Sequence, residues 1–193
     1  MSRERRSFFM QKRTGVFKTV KGMTLAAMLV AMSVVIGIFC KTFLNFGGGL
    51  FRITFENLPI IMAGILFGPA VGGLVGIGSD LVSYLLSGQA YPLNLIVSFG
   101  AMAVGVVSGA MAKYVVRKKG TSQIIICSAV AHIVGSMLIK PIGLYQFYGI
   151  LVLWRIPLYL VIAPLEILVL CFLFRRNTFR RLTDYNLGEN NEL

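Results

Sequence analysis

Of 193 residues, 56% are hydrophobic and 13% charged, and the mean hydropathy is +0.80. A water-soluble domain carries about 25% charged residues, so the composition excludes one and places the chain in a bilayer. The formal net charge of +12 does not signal nucleic acid, because the basic residues gather at the ends of apolar segments rather than along a solvated face.

The chain opens on a basic stretch, residues 1–22, followed by the apolar run Met23–Cys40. That run is too long for the apolar part of a signal peptide, so it reads as a first spanning helix. A spanning helix needs about 20 mostly apolar residues, and five more candidates follow: Asn57–Gly68, Ala70–Ser87, Leu93–Val116, Ser122–Ile139 and Ile156–Phe174. The second is short, and crosses only by tilting or by packing inside protein. The predicted fold is therefore an all-α integral membrane protein of six transmembrane helices, with residues 23–175 as one membrane domain and 176–193 as a C-terminal tail.

Orientation follows from lysine and arginine. The N-terminal tail holds seven, the loop after the fourth span holds Lys113, Arg117, Lys118 and Lys119, and the C-terminal end holds Arg175, Arg176, Arg180 and Arg181. Fifteen of the nineteen basic residues thus share a face, which marks that face and both termini as cytoplasmic. The exterior face is left with the loops Lys41–Glu56, Gly88–Pro92 and Lys140–Arg155. The first of these carries Gly47-Gly48-Gly49, a hinge for a mobile segment.

The stretch Gly47–Asn94 concentrates the unusual features. Gly64, Gly68, Gly72 and Gly76 recur every four residues, which predicts that the second and third spans pack closely about a Gly68-Pro69 turn. Asp80 lies inside the third span, with Ser83, Tyr84 and Ser87 above it on roughly one face. A carboxylate at membrane depth costs at least about 2.5–3.5 kcal/mol and so faces a cavity or a partner. It reads as a ligand contact or as a structural acid paired with a neighbouring helix. Glu166, beside Pro164, reads chiefly as an interhelical hydrogen-bonding partner, with His132 at similar depth.

Arg52, Lys140 and Arg155 sit at or beyond the outer boundary, and Glu56 accompanies them. Such a basic rim suits an anionic solute, since arginine grips a carboxylate with two parallel hydrogen bonds; snorkelling at helix ends is the plain alternative. Tyr84, Tyr91, Tyr145, Phe147, Tyr148 and Trp154 gather at the same boundary. An interfacial belt accounts for most of them, while a lid over a flat ring system accounts for their absence from the inner ends. Ala27 and Ala31, and Ala101, Gly105 and Gly109, form small-residue stripes that suit close helix packing or, for the first pair, a partner protein. Cys40, Cys127 and Cys171 are lone residues in apolar runs, with no metal-ligand spacing. No nucleophile–base pair suggests an enzyme.

Six short helices, the basic N-terminus, Ala27-x-x-x-Ala31 and the run RITFENLPIIMAGILFGP…GSDLVSYLLSG together resemble the substrate-binding S-component of energy-coupling-factor (ECF) vitamin transporters, and most nearly its folate-specific members. The resemblance spans residues 20–175 or so. It implies a bacterial plasma-membrane protein that captures a vitamin from outside, beneath the first and third exterior loops. It further implies association with a transmembrane coupling protein and two cytoplasmic ATPases, followed by toppling in the membrane to release the vitamin inside. ATP is then used by the partners, and no cofactor is expected on this chain. The alanine pair would be the docking surface for the coupling protein.

Folate also suits the residues. The pterin edge offers two adjacent N–H donors to a carboxylate such as Asp80, and its ring can stack on an aromatic such as Tyr84 or Trp154; Glu56, Tyr91 and Tyr148 belong to the same candidate ligand-binding set. The glutamate tail offers two carboxylates to Arg52, Lys140 or Arg155, with Asn94 at the same level. Another vitamin, or an unrelated small carrier or channel, remains the alternative.

Overall fold

A computed structural model describes residues 20–46, 51–86, 94–116 and 121–175. Helix α1 (Val20–Phe43) is followed by two short antiparallel strands, β1 (Asn45–Phe46) and β2 (Phe51–Arg52), with Asn45 opposite Arg52. Then come α2 (Asn57–Phe67), α3 (Pro69–Leu86) and α4 (Leu95–Ala110), the last continuing as a wide π-helical turn over Met111–Val115. Helix α5 (Thr121–Ala131) runs through a π-helical segment, His132–Ile139, into α6 (Lys140–Tyr148). A 3-10 stretch, Gly149–Trp154, leads to α7 (Arg155–Arg175).

Among the described residues, five helical stretches are long and apolar enough to cross a membrane: Gly22–Phe43, Pro69–Leu86, Leu95–Val115, Thr121–Gln146 and Gly149–Arg175. The predicted second span is the exception. Helix α2 has 11 residues, roughly 16 Å at 1.5 Å per residue, and Asn57–Gly64 are all buried. It sits inside the bundle rather than against lipid. The outward faces of the longer helices are apolar, with Val35, Phe39, Leu85, Leu168 and Phe172 all exposed. Water would not tolerate so much contiguous apolar surface; hydrocarbon would.

Local sequence sets the boundaries. Gly68 takes φ +93, open to glycine without strain, and its N–H bonds Gly64 O at 2.9 Å. Pro69 then starts α3, where a missing N–H costs nothing. Asn94 caps α4, its Oδ1 accepting from the N–H groups of Ile96 (3.0 Å) and Val97 (3.4 Å).

The glycine series packs α2 against α3 as the sequence predicts, and packs both against a third helix that it does not predict. Gly64 and Gly72 do approach each other, but their main neighbour is α4: Gly64 lies against Ser108 and Gly105, Gly72 against Gly105, and Gly76 against Ala101. Gly109 in turn lies against Pro69. The two small-residue stripes read separately in the sequence are the two halves of one seam. Added Cβ atoms there would strike backbone, so the helices touch main chain to main chain.

The predicted exterior loop Lys140–Arg155 is corrected. Lys140-Pro141 reads as a helix end, but the helix runs on to Tyr148 and breaks at Gly149, φ +57. The π-helical segment makes this passage, with the Lys140 N–H bonding Gly135 O. Pro141 then falls in the first turn of α6, where it is tolerated.

Candidate functional site

The site is built around the start of α2. Glu56 does not cap that helix with its side chain, and its carbonyl accepts a hydrogen bond from Ser33 Oγ of α1 at 2.7 Å. Its carboxylate is directed into the bundle. A Cβ on Gly37 of α1 would stand 3.2 Å from Glu56 Oε2 and 3.5 Å from Ser83 Oγ of α3, so glycine at position 37 leaves room for the acid. Glu56 Oε1 lies 3.4 Å from Lys140 Nζ.

Lys140 is therefore not on an exterior rim. It is 3% exposed, and its stem crosses α4 at Gly100, where any Cβ would crowd Lys140 Cγ. Besides Glu56, Nζ donates to Asn57 Oδ1 at 2.9 Å. Asn57 Nδ2 in turn donates to Ser136 Oγ at 3.3 Å. A buried ammonium survives only when paired and hydrogen-bonded, and Glu56 and Asn57, the latter held in turn by Ser136, serve that need. The looser of its named contacts, at 3.4 Å, is to Glu56, whose side chain is 19% exposed.

Asp80 occupies the other side of α3. It accepts a hydrogen bond from Ser98 Oγ of α4 at 2.5 Å, which joins the C-terminal half of α3 to the first turn of α4. Tyr84, one turn on, is half-buried, and Ser83 is buried. Asn94, besides capping α4, donates to Gly143 O of α6. Arg52 lies on β2 and Tyr148, Trp154 and Arg155 lie on helical backbone, but their side chains are outside the described set; Tyr91 is outside the described residues altogether. Tyr145 points away from the interior, 59% exposed.

Glu166 and His132 meet deep in the bundle, Oε2 and Nε2 2.7 Å apart, both essentially without exposure. The sequence favours an interhelical hydrogen bond for Glu166; the structure sets His132 beside it in a short acid–base contact. What sequence reasoning missed was Asn57 and Ser136. A signal existed: Ser128, His132, Ser136 and Lys140 recur every four residues in an apolar run, and all four are buried. Together they form one polar line along α5, the π segment and the start of α6.

Ala27 and Ala31 are exposed on α1, each followed by an exposed methionine, Met28 and Met32. The pair makes a shallow, unbranched strip on an outward helix face.

The fold and the site define a helical membrane protein that keeps a hydrogen-bonded acid–base cluster near one end of its bundle. The family model for the substrate-specific component of ECF transporters matches residues 21–180, and the chain belongs to that family. It is thus a membrane transport component rather than an enzyme. The chain is similar in fold to FolT crystallised with folic acid, at a TM-score of 0.65 and 20% identity, over 80% of this chain and 93% of FolT. It is similar also to the S component of a bacterial ECF transporter, at a TM-score of 0.57 and 24% identity, over 84% of this chain and 95% of that one. No curated protein matches the sequence.

Proposed function

We propose that this chain is a folate-binding S-component that captures the vitamin at the outer face of a bacterial plasma membrane. An ECF module of one coupling protein and two ATPases would then deliver it inward. The observation that carries the ligand assignment is Lys140: a cation held inside the bundle, loosely paired with Glu56 through a 3.4 Å contact that an incoming carboxylate is able to replace. The likeness in fold to FolT with folic acid supports the same reading.

In this proposal the glutamate carboxylates of folate take Lys140, with Arg52 and Arg155 at the entrance. The pterin donors go to Glu56 or Asp80, and Tyr84, Tyr91, Tyr148 and Trp154 enclose the rings around Asn94. Ala27 and Ala31 form the docking strip for the coupling protein, and the chain itself binds no nucleotide or other cofactor.

Calorimetric titration of the purified chain in detergent tests it, with riboflavin and thiamine as controls. Saturable binding of folic acid alone is expected, accompanied by quenching of the single tryptophan, Trp154. Binding of another vitamin instead would overturn the ligand assignment while leaving the family membership in place.

A further inference from the structure

His132 and Glu166 take no part in that proposal, yet they are 1% and 0% exposed. Their contact is short but poorly aligned as a hydrogen bond, and His132 Nδ1, Glu166 Oε1 and the hydroxyl of Ser128, one turn earlier, have no hydrogen-bond partner among the described residues. A carboxylate buried beside a neutral imidazole is an uncompensated charge in a medium of low dielectric, which is strongly disfavoured. The surroundings do not compensate it. Lys140 and Glu56 act on Glu166 through space, but they are paired with each other. Helices α2 and α4, both packed near this line, carry no ionisable side chain over Asn57–Phe67 and Leu95–Ala110. Among the described residues, the buried faces of α5 and α7 add only the thiol of Cys127 and the phenol of Tyr159, neither of them a cation. Asp80 is engaged elsewhere, with Ser98. Neutrality thus requires one further proton between the imidazole and the carboxyl group.

We propose that the His132–Glu166 pair is a proton-binding site in the membrane interior, and that its proton occupancy is linked to anion binding at Lys140 along the line Ser136–Asn57. The site takes a proton from solvent onto imidazole nitrogen or carboxylate oxygen, with no other bond made or broken. An anion arriving at Lys140 adds a negative charge to the same dry line, and a second proton enters at the pair to offset it, leaving an imidazolium beside a neutral carboxyl group. The linkage rests on the folate reading; the proton site does not.

The sequence contains a single histidine, which makes the site observable in the full chain. Nitrogen-15 histidine NMR and infrared spectra in detergent, from about pH 5 to 9, should show either an imidazolium at His132 or a protonated carboxyl band. That signature should persist across the range and vanish in Glu166→Gln. A His132 that titrates freely near about 6.5, or wild-type spectra with neither signature, would overturn the site, and neither result depends on the variant folding. For the linkage, folic acid is titrated in two buffers of unlike ionisation enthalpy. Uptake approaching about one proton per ligand is expected in the wild type, falling by at least half in His132→Gln with Glu166→Gln. Binding without uptake removes the linkage and leaves the folate reading standing. Failure of folate to bind removes that reading and the linkage with it, while the spectra still decide the proton site.

Discussion

The α3–α4 seam and the polar line of α5 and α6 hold helices together by opposite means. In the seam, Gly72, Gly76, Ala101, Gly105 and Gly109 bring backbone against backbone. Nothing there has a rotamer to change, and the contact is either made or lost. Along the line, Lys140, Asn57, Ser136, His132 and Glu166 hold helices through side chains, each able to exchange one partner for another. The comparison teaches where the proposed ligand would act: a solute cannot separate the glycines at modest cost, whereas the 3.4 Å contact of Glu56 with Lys140 leaves a side chain to be exchanged.

Breaking the line should have the largest effect. Lys140→Met leaves Glu56 and Asn57 without their cation, and removing one partner of a buried pair costs about 3–5 kcal/mol. The partial exposure of Glu56 places the expected loss at the lower end. Thermal unfolding in detergent measures it, and adding Glu56→Gln should recover part of the loss. A melting temperature unmoved by Lys140→Met would show that the pair holds nothing.

The seam comes next. At Gly105→Ala the new Cβ meets the Gly72 carbonyl and the Gly73 nitrogen, all backbone, so the helices must part. Overpacking of this kind costs about 1–3 kcal/mol or more. If the variant melts like the parent, the main-chain contact is not what joins α3 to α4. A smaller loss, about 1 kcal/mol, is expected for Asn94→Ala, which removes the cap of α4 and the bond to Gly143; hydrogen exchange should rise first at Ile96 and Val97. Gly78→Ala sharpens the contrast from the other direction. A Cβ there finds only Val30, at 3.8 Å, so the change should stabilise α3 by about 0.5–1 kcal/mol. A destabilised Gly78→Ala would mean that α1 and α3 lie closer than the structure places them.

The sequence made much of this legible. Apolar runs set the helices, the glycine and alanine spacing announced close packing, and the depth of Glu166 called for an interhelical partner, with His132 at a similar level. The errors have a common source. Lys140 followed by Pro141 carries the local signature of a helix end, and only the π-helical turn, a tertiary feature, carries the helix past it. Asn57 and Ser136 escaped notice because each is unremarked alone and gains meaning only once the burial of Lys140 is known. Which stripe faces which was equally hidden, since four-residue spacing marks a face but does not name the helix opposite.

Helix α2 is also too short to enter a bilayer unaided. With 11 residues it falls well below the roughly 20 that partition independently, and its N-terminus carries Glu56 and Asn57. The tight Gly68-Pro69 junction joins it to α3, so the two are expected to insert during synthesis as one helical hairpin. Ribosome-stalled nascent chains ending before and after α3 would reveal this: α2 should stay accessible to aqueous thiol probes, placed on introduced cysteines, until α3 has emerged.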